Sequence, residues 1–492
     1  MRRALLLLLV LVAGGGWLIA GAGGDLRREH VTSAGVPLDV VHPAADGRRP
    51  GVVVAHGFSG SAKLMAPFGD TLAARGYTVV LLDFSGHGAT THPLPDQTAS
   101  TDASTRALQS DLTAAVTRLR SLPDVDPARI ALVGHSMGAG AVTRYAAAHP
   151  DITATVAISL PNAVVASAER PARLLTVVGA LEFPGFREAA TTVAAQRADR
   201  ELKVVAGVEH ITVLYAPETH RATVDWLDRA LGGPFDDDAV PFPGRRLAGA
   251  ALLGLAFLLG FYPLAARLGE RRTAPPRARI TVTAVATGAA VTRARITVTA
   301  VATGAAVVGA LTARLLPTTA FPLAIGGYVA AYAAVTGVLL LLYAIRRGHH
   351  TPERPTHPRV LTVVPYAVVA IAVPVHLGMT NALPAGARWW LLPIIWAAFA
   401  LLAYAAERAT GGDPVALLAV AAVFVTVLAA AALTGLTHGF VVLVLVPLIG
   451  LLLWQTLWSV FLNRFAVPTW VIALTGSIVV TWPLAVTLPL TG

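Results

Sequence analysis

The stretch Arg129–Pro150 reads RIALVGHSMGAGAVTRYAAAHP, and its reading decides the fold. Ile130-Ala131-Leu132-Val133 is a short apolar run of the kind that forms a fully buried parallel strand. Gly134-His135-Ser136-Met137-Gly138 follows without a break, and a helical pattern of small residues then runs to His149-Pro150. A strand, a tight G-x-S-x-G turn and a helix together form the context in which a serine hydroxyl is pushed out above a sheet. Gly134 and Gly138, two residues either side of Ser136, let neighbouring backbone approach where a Cβ would collide.

Working outward, short apolar runs alternate with helical stretches, the pattern of a parallel sheet covered on both faces. Strands are expected at Val36–Val41, Gly51–Ala55, Thr78–Leu82, Ile130–Val133, Thr155–Ser159, Leu174–Val178 and Leu202–Ala206. Helices are expected near Met65–Arg75, Ser104–Leu122, Ala139–Ala148, Phe186–Ala198 and Pro217–Leu231. This region, residues 25–243, has the length of one compact domain. It ends in Phe235-Asp236-Asp237-Asp238 and two prolines, which read as a polar linker.

The rest of the chain is of another kind. The 492 residues are 55% hydrophobic and 13% charged, too apolar for an ordinary soluble protein. From Arg245 on, apolar runs near the ~20-residue length of a bilayer span fall near 247–266, 296–315, 321–345, 360–379, 389–406, 414–434, 439–462 and 468–490. About eight helices are therefore expected in 244–492, an all-α polytopic membrane domain. Met1-Arg2-Arg3 precedes a further apolar run, Ala4 to Ala22, within a segment 1–24 that reads equally as a signal anchor or as a cleaved signal peptide.

The net charge of +10 divides unevenly. Residues 25–243 carry a net −5, while 244–492 carry 17 arginines against 4 acids. The positive excess thus lies beside the spans, where it sets topology rather than binding nucleic acid. With Met1-Arg2-Arg3 inside, the basic linkers Arg267–Arg295 and Arg346–Arg359 also fall inside. Residues 25–243 and the short loop Gly378–Arg388 fall outside. Within the first basic linker, RARITVTAVATGAAV at Arg277–Val291 returns unchanged at Arg293–Val307. A single exact duplication is not a solenoid, and one helix is expected there, built on the second copy.

Residues ~36–231 resemble the α/β-hydrolase fold in their strand order and elbow, and in a serine–acid–histidine order along the chain. The resemblance implies a doubly wound, mostly parallel sheet with Ser136 as the nucleophile. It places the base at His210, in Gly207-Val208-Glu209-His210 after a late strand, where an imidazole can accept and return a proton near neutral pH. His220, inside a helix, is a weaker rival. The acid falls at Glu182, in the loop Gly179-Ala180-Leu181-Glu182, because a carboxylate there can orient the histidine. Glu209 is too close to His210 along the chain for that role. His56-Gly57-Phe58-Ser59-Gly60 matches the family's His-Gly oxyanion loop. The backbone N–H groups of Phe58 and Met137 would then receive the oxyanion, with His56, Gly57, Gly134 and Gly138 shaping the loops. Asp83-Phe84-Ser85-Gly86-His87-Gly88 resembles the family's D-x-x-G-H-G loop, which is structural.

Only about a dozen residues, Leu160–Arg173, follow the strand after which many relatives insert a lid. The segment therefore resembles the capless dienelactone-hydrolase and simple esterase branches. The expectation is a membrane-tethered, extracytoplasmic serine hydrolase acting on an ester, thioester or amide of a small molecule or lipid. Acyl transfer by the same residues, or lipid handling by the membrane half with a non-catalytic hydrolase-like module, are the other readings. Neither a metal nor a cofactor is implied. Cysteine is absent, His349, His350 and His357 lie on a basic Pro-rich linker without paired carboxylates, and no phosphate loop is present.

Overall fold

A computed structural model describes residues 2–24, 26–44, 47–232, 240–266, 282–348, 362–378, 380–465 and 467–492. The acidic linker 235–238, most of the first basic linker and the histidines of the second lie outside these residues. The chain divides into two compact units. One comprises Leu9–Leu253, Pro374–Gly386 and Pro489–Gly492; the other comprises Met1–Leu8, Gly254–Val373 and Ala387–Leu488.

After an N-terminal helix α1 (Arg2–Ala20), the first unit is built on eight strands. They are β1 (Arg27–Ser33), β2 (Val36–His42), β3 (Arg49–Ala55), β4 (Thr78–Leu82), β5 (Val125–His135), β6 (Ala154–Ile158), β7 (Leu174–Gly179) and β8 (Glu201–Val205). Their order in the sheet is β1-β2-β4-β3-β5-β6-β7-β8. The pairs β1·β2 and β2·β4 are antiparallel, and every later pair is parallel. Helices α2 (Ala66–Ala74), α3 (Asp102–Arg120), α4 (Met137–Ala148), α5 (Pro184–Ala195) and α6 (Pro217–Leu231) connect them.

The central strands are apolar throughout because alternate residues enter two different cores. Val52, Val54, Ala131 and Val133 join Phe68, Leu72 and Leu227, contributed by α2 and α6. Val53, Ala55, Ile130 and Leu132 join Leu112, Val116 and Val142, contributed by α3 and α4. All seven expected strands form. The sequence reading misses β1, whose residues RREHVTS give no apolar run because it is an edge strand exposed along one side. Between β6 and β7 lie residues 159–173, which hold one short turn of helix and no inserted domain.

The remaining helices are α7 (Arg245–Ala265), α8 (Val282–Leu315), α9 (Gly326–Arg346), α10 (Val363–Gly378), α11 (Arg388–Thr410), α12 (Pro414–Leu433), α13 (Val441–Arg464) and α14 (Thr469–Thr487). Among the described residues, seven helices are long and apolar enough to cross a membrane. The span expected at 360–379 is instead the 16-residue α10, short of the bilayer length over its described part. The duplicated segment lies in a single helix, α8, which continues from the described end of the first copy through the second.

Candidate active site

Ser136 stands between β5 and α4 with φ 52° and ψ −117°. This conformation is costly for a non-glycine residue and is held only where the surroundings enforce it. Neighbouring backbone supplies the enforcement. A Cβ on Gly138 would sit 2.5 Å from the His56 carbonyl oxygen and 2.6 Å from that of Ala55. One on Gly134 would sit 2.4 Å from the Gly138 carbonyl oxygen. Gly138→Ala is therefore expected to cost more than the ~1–3 kcal/mol of ordinary overpacking, because the obstructing atoms are backbone. A thermal-unfolding comparison of the variant with wild type checks this.

His210 follows β8 and lies 3% exposed. Its Nε2 is 3.1 Å from Ser136 Oγ, and its Nδ1 is 3.0 Å from Glu182 Oε2. With Glu182 as an acceptor, the proton sits on Nδ1 and Nε2 is left to accept from the serine hydroxyl. Glu182 follows β7, and its carboxylate is fully enclosed. It also accepts from the Ser159 hydroxyl and from Gly179 N–H at 3.2 Å. The structure thus joins Ser136, His210 and Glu182 in one chain of hydrogen bonds. His220 is elsewhere: its Nδ1 meets Thr71 Oγ1 at 2.8 Å, and its Nε2 donates to the Leu214 carbonyl at 2.9 Å. Glu209 accepts from the N–H groups of Ile211 and Thr212, turning the loop that carries His210.

The 56–60 loop lies against the serine, since a Cβ on Gly57 would be 3.1 Å from Ser136 Cβ. His56 is wholly buried; it donates from Nδ1 to the Gly57 carbonyl at 2.7 Å and accepts the Phe84 N–H on Nε2 at 3.1 Å. It therefore fastens this loop to the 83–88 loop. Phe58 packs edge-on against His87, with ring centroids 5.7 Å apart. Asp83 accepts the N–H groups of Ala62 at 2.7 Å and Ala89 at 2.8 Å, the work of a brace. Met137 opens α4, so its N–H is one of the donors a helix leaves without an intrahelical partner.

Sequence reasoning missed two supporting residues. His135 Nε2 donates to the His210 carbonyl at 2.9 Å, and burial holds His135 neutral, its pKa well below the usual value. Ser159, with φ 55°, fixes the Glu182 carboxylate. The place of His135 in the elbow was a signal for the first, and for the second only the position of Ser159 at the end of β6.

Burial pushes His56 and His220 down to about 4, so both are neutral in the folded protein. Unfolded, each takes up a proton near its ordinary 6.5, so the unfolded state binds more protons over the interval between. Stability is accordingly full above pH 6.5 and falls as the pH drops toward 4, by up to about 3 kcal/mol per histidine. Unfolding midpoints against pH check this, and His220→Gln should flatten the slope. A wild-type midpoint constant over that window would contradict it.

Among the described residues, no group of three or more His, Cys, Asp or Glu is placed to hold a metal ion. Residues 47–213 match the family model of serine aminopeptidase S33. Cutinase est1 of Thermobifida alba is 28% identical over 120 residues, covering 24% of this chain and 38% of its own. An uncharacterized protein of Mycobacterium tuberculosis is 32% identical over 138 residues, covering 28% of this chain and 42% of its own. The chain thus spans less than half the length of these curated relatives. Among solved structures, the Pyrococcus furiosus esterase Pf2001 aligns at 21% identity and TM-score 0.34, covering 42% of this chain and 93% of its own. A dienelactone hydrolase from Anabaena variabilis aligns at 17% and TM-score 0.34, covering 42% and 99%.

Proposed function

From the α/β-hydrolase segment this chain carries, joined to an apolar helical region, we propose a membrane-tethered serine hydrolase that cleaves esters by way of an acyl-enzyme. The observation that carries the reading is the continuous line from Ser136 Oγ through His210 to Glu182. Ser136 would attack the acyl carbon as His210 Nε2 takes its proton. The oxyanion would form toward the N–H groups of Phe58 and Met137. His210 would then protonate the departing alkoxide, and water would release the acyl group by the same route. Glu182 would hold the ring and stabilise the imidazolium.

The likeness to cutinases supports an ester substrate. An apolar acyl part is supported by Leu181 and Phe183, which flank Glu182 and are 67% and 51% exposed, and by Phe186, whose ring lies 4.6 Å from that of His210. Rates on p-nitrophenyl esters of increasing chain length, compared with aminoacyl anilides, test this. A higher kcat/KM on the anilides would overturn the ester assignment in favour of peptide chemistry.

Seven span-length helices among the described residues and the distribution of arginines support a multi-pass protein of the cytoplasmic membrane with residues 25–243 outside. A retained first helix is supported by its close pairing with α7. A Cβ on Gly15 would lie 3.0 Å from the Gly249 carbonyl oxygen, and Arg245 Nε donates to the Leu18 carbonyl at 2.9 Å. The intact mass of the purified protein checks this: a chain lacking residues 1–22 would refute retention.

A further inference from the structure

The apolar helices contain a carboxylate that hydrolysis leaves unused. Glu407, three residues before the end of α11, is 4% exposed because it faces α13 rather than solvent. One carboxylate oxygen accepts from the Ser459 hydroxyl and the other from Asn463 Nδ2 at 3.0 Å. Among the described residues, no basic side chain pairs with it. Its partners are neutral, so an ionised Glu407 holds one uncompensated negative charge in apolar surroundings. Such groups inside membrane spans are costly and mark ion or proton sites.

A second observation points the same way. Beside Glu407 is a cavity of about 50 Å³, walled by apolar side chains such as Phe399 and Phe424 and reached by Gln455, Thr456 and Ser459. Gln455 also lines it, and Gln455 Oε1 is buried without a hydrogen-bond partner. Thr456 spends its proton on the Leu452 carbonyl at 2.8 Å, which leaves its lone pairs open. The lining beside Glu407 therefore holds oxygens with acceptor capacity to spare. A water needs roughly 10–15 Å³ of such space, so a small cation with a water or two fits. Gln455, Ser459 and Asn463 recur every fourth residue on one face of α13, forming a polar row from the cavity to the helix end at Arg464.

We propose that Glu407, Gln455, Thr456 and Ser459 form a binding site for a single positive charge, entered from the Asn463 end. The charge is either a proton on Glu407 or a sodium ion among the four oxygens. A divalent ion does not suit the site, because one carboxylate would leave it net positive and calcium usually takes six to eight oxygens. The inference rests on these helices spanning a membrane, and not on the hydrolase chemistry.

The test uses the full chain in lipid nanodiscs. Thermal midpoints are read in sodium chloride against choline chloride at equal ionic strength. The infrared carbonyl band of a protonated carboxyl is followed between mildly acidic and mildly alkaline buffer. A sodium site predicts a saturable rise in midpoint that Glu407→Gln abolishes. A proton site predicts a titrating carboxyl band that is missing in Glu407→Gln. Gln455→Leu keeps the carboxylate and carries the test if the first variant does not assemble; it should weaken sodium half-saturation at least about tenfold, ~1.4 kcal/mol, or displace the titration. A wild-type midpoint indifferent to sodium, together with no titrating band assignable to Glu407, overturns the proposal. Fluorophosphonate labelling of Ser136 in the same discs is expected to survive both substitutions, so failure of the hydrolase reading would show separately.

Discussion

Ser136→Ala is expected to lower kcat for ester hydrolysis by at least about 10⁴-fold while leaving the unfolding free energy within about 1 kcal/mol of wild type. The size of the loss follows from removing the attacking atom, which no neighbour replaces; residual turnover would come only from the oxyanion donors and substrate binding. The stability expectation follows from the site. Ser136 Oγ meets His210 Nε2, but the elbow is held by backbone contacts at Gly134 and Gly138 that alanine leaves untouched. Turnover of a short p-nitrophenyl ester by the purified protein reads the first part, and an unfolding scan reads the second. A variant that keeps a tenth of wild-type kcat would remove Ser136 from the mechanism.

Glu182→Gln should cost nearly as much, about 10⁴-fold in kcat by the precedent of the amide substitution in a serine triad. The amide would offer its own N–H groups to His210 Nδ1, favouring the tautomer with the proton on Nε2. The ring would then point a proton at Ser136 instead of a lone pair. It would also replace a carboxylate that accepts from Ser159, Gly179 and His210 together. Because Glu182 acts through His210 rather than on the substrate, the loss should fall on kcat with KM little changed. A large change in KM with kcat preserved would instead make Glu182 a residue that shapes the pocket.

The parts of the fold that were legible are those where local pattern and burial coincide. Val52–Ala55 and Ile130–Val133 read as strands because both their faces are buried, so no polar residue interrupts them. β1 was illegible for the converse reason: Arg27, Arg28 and Glu29 line a sheet edge, where nothing demands apolar side chains. The elbow could be found from five residues because its strain is local. The supporting contacts could not, because they join residues far apart in the chain. His135 meets the His210 carbonyl across 75 positions, and Ser159 meets Glu182 across 23. Glu407 illustrates the limit of composition. It stands near a helix end, and the partners that enclose it, Ser459 and Asn463, lie 52 and 56 positions further along the chain.

Labelling with a membrane-impermeant fluorophosphonate on intact cells decides whether Ser136 is an activated nucleophile on the outer side of the membrane, as we propose. Covalent labelling is expected of the wild-type protein, none of Ser136→Ala, and little of Glu182→Gln. Equal labelling of wild type and Ser136→Ala, or labelling of the wild type only after the cells are broken, would contradict it.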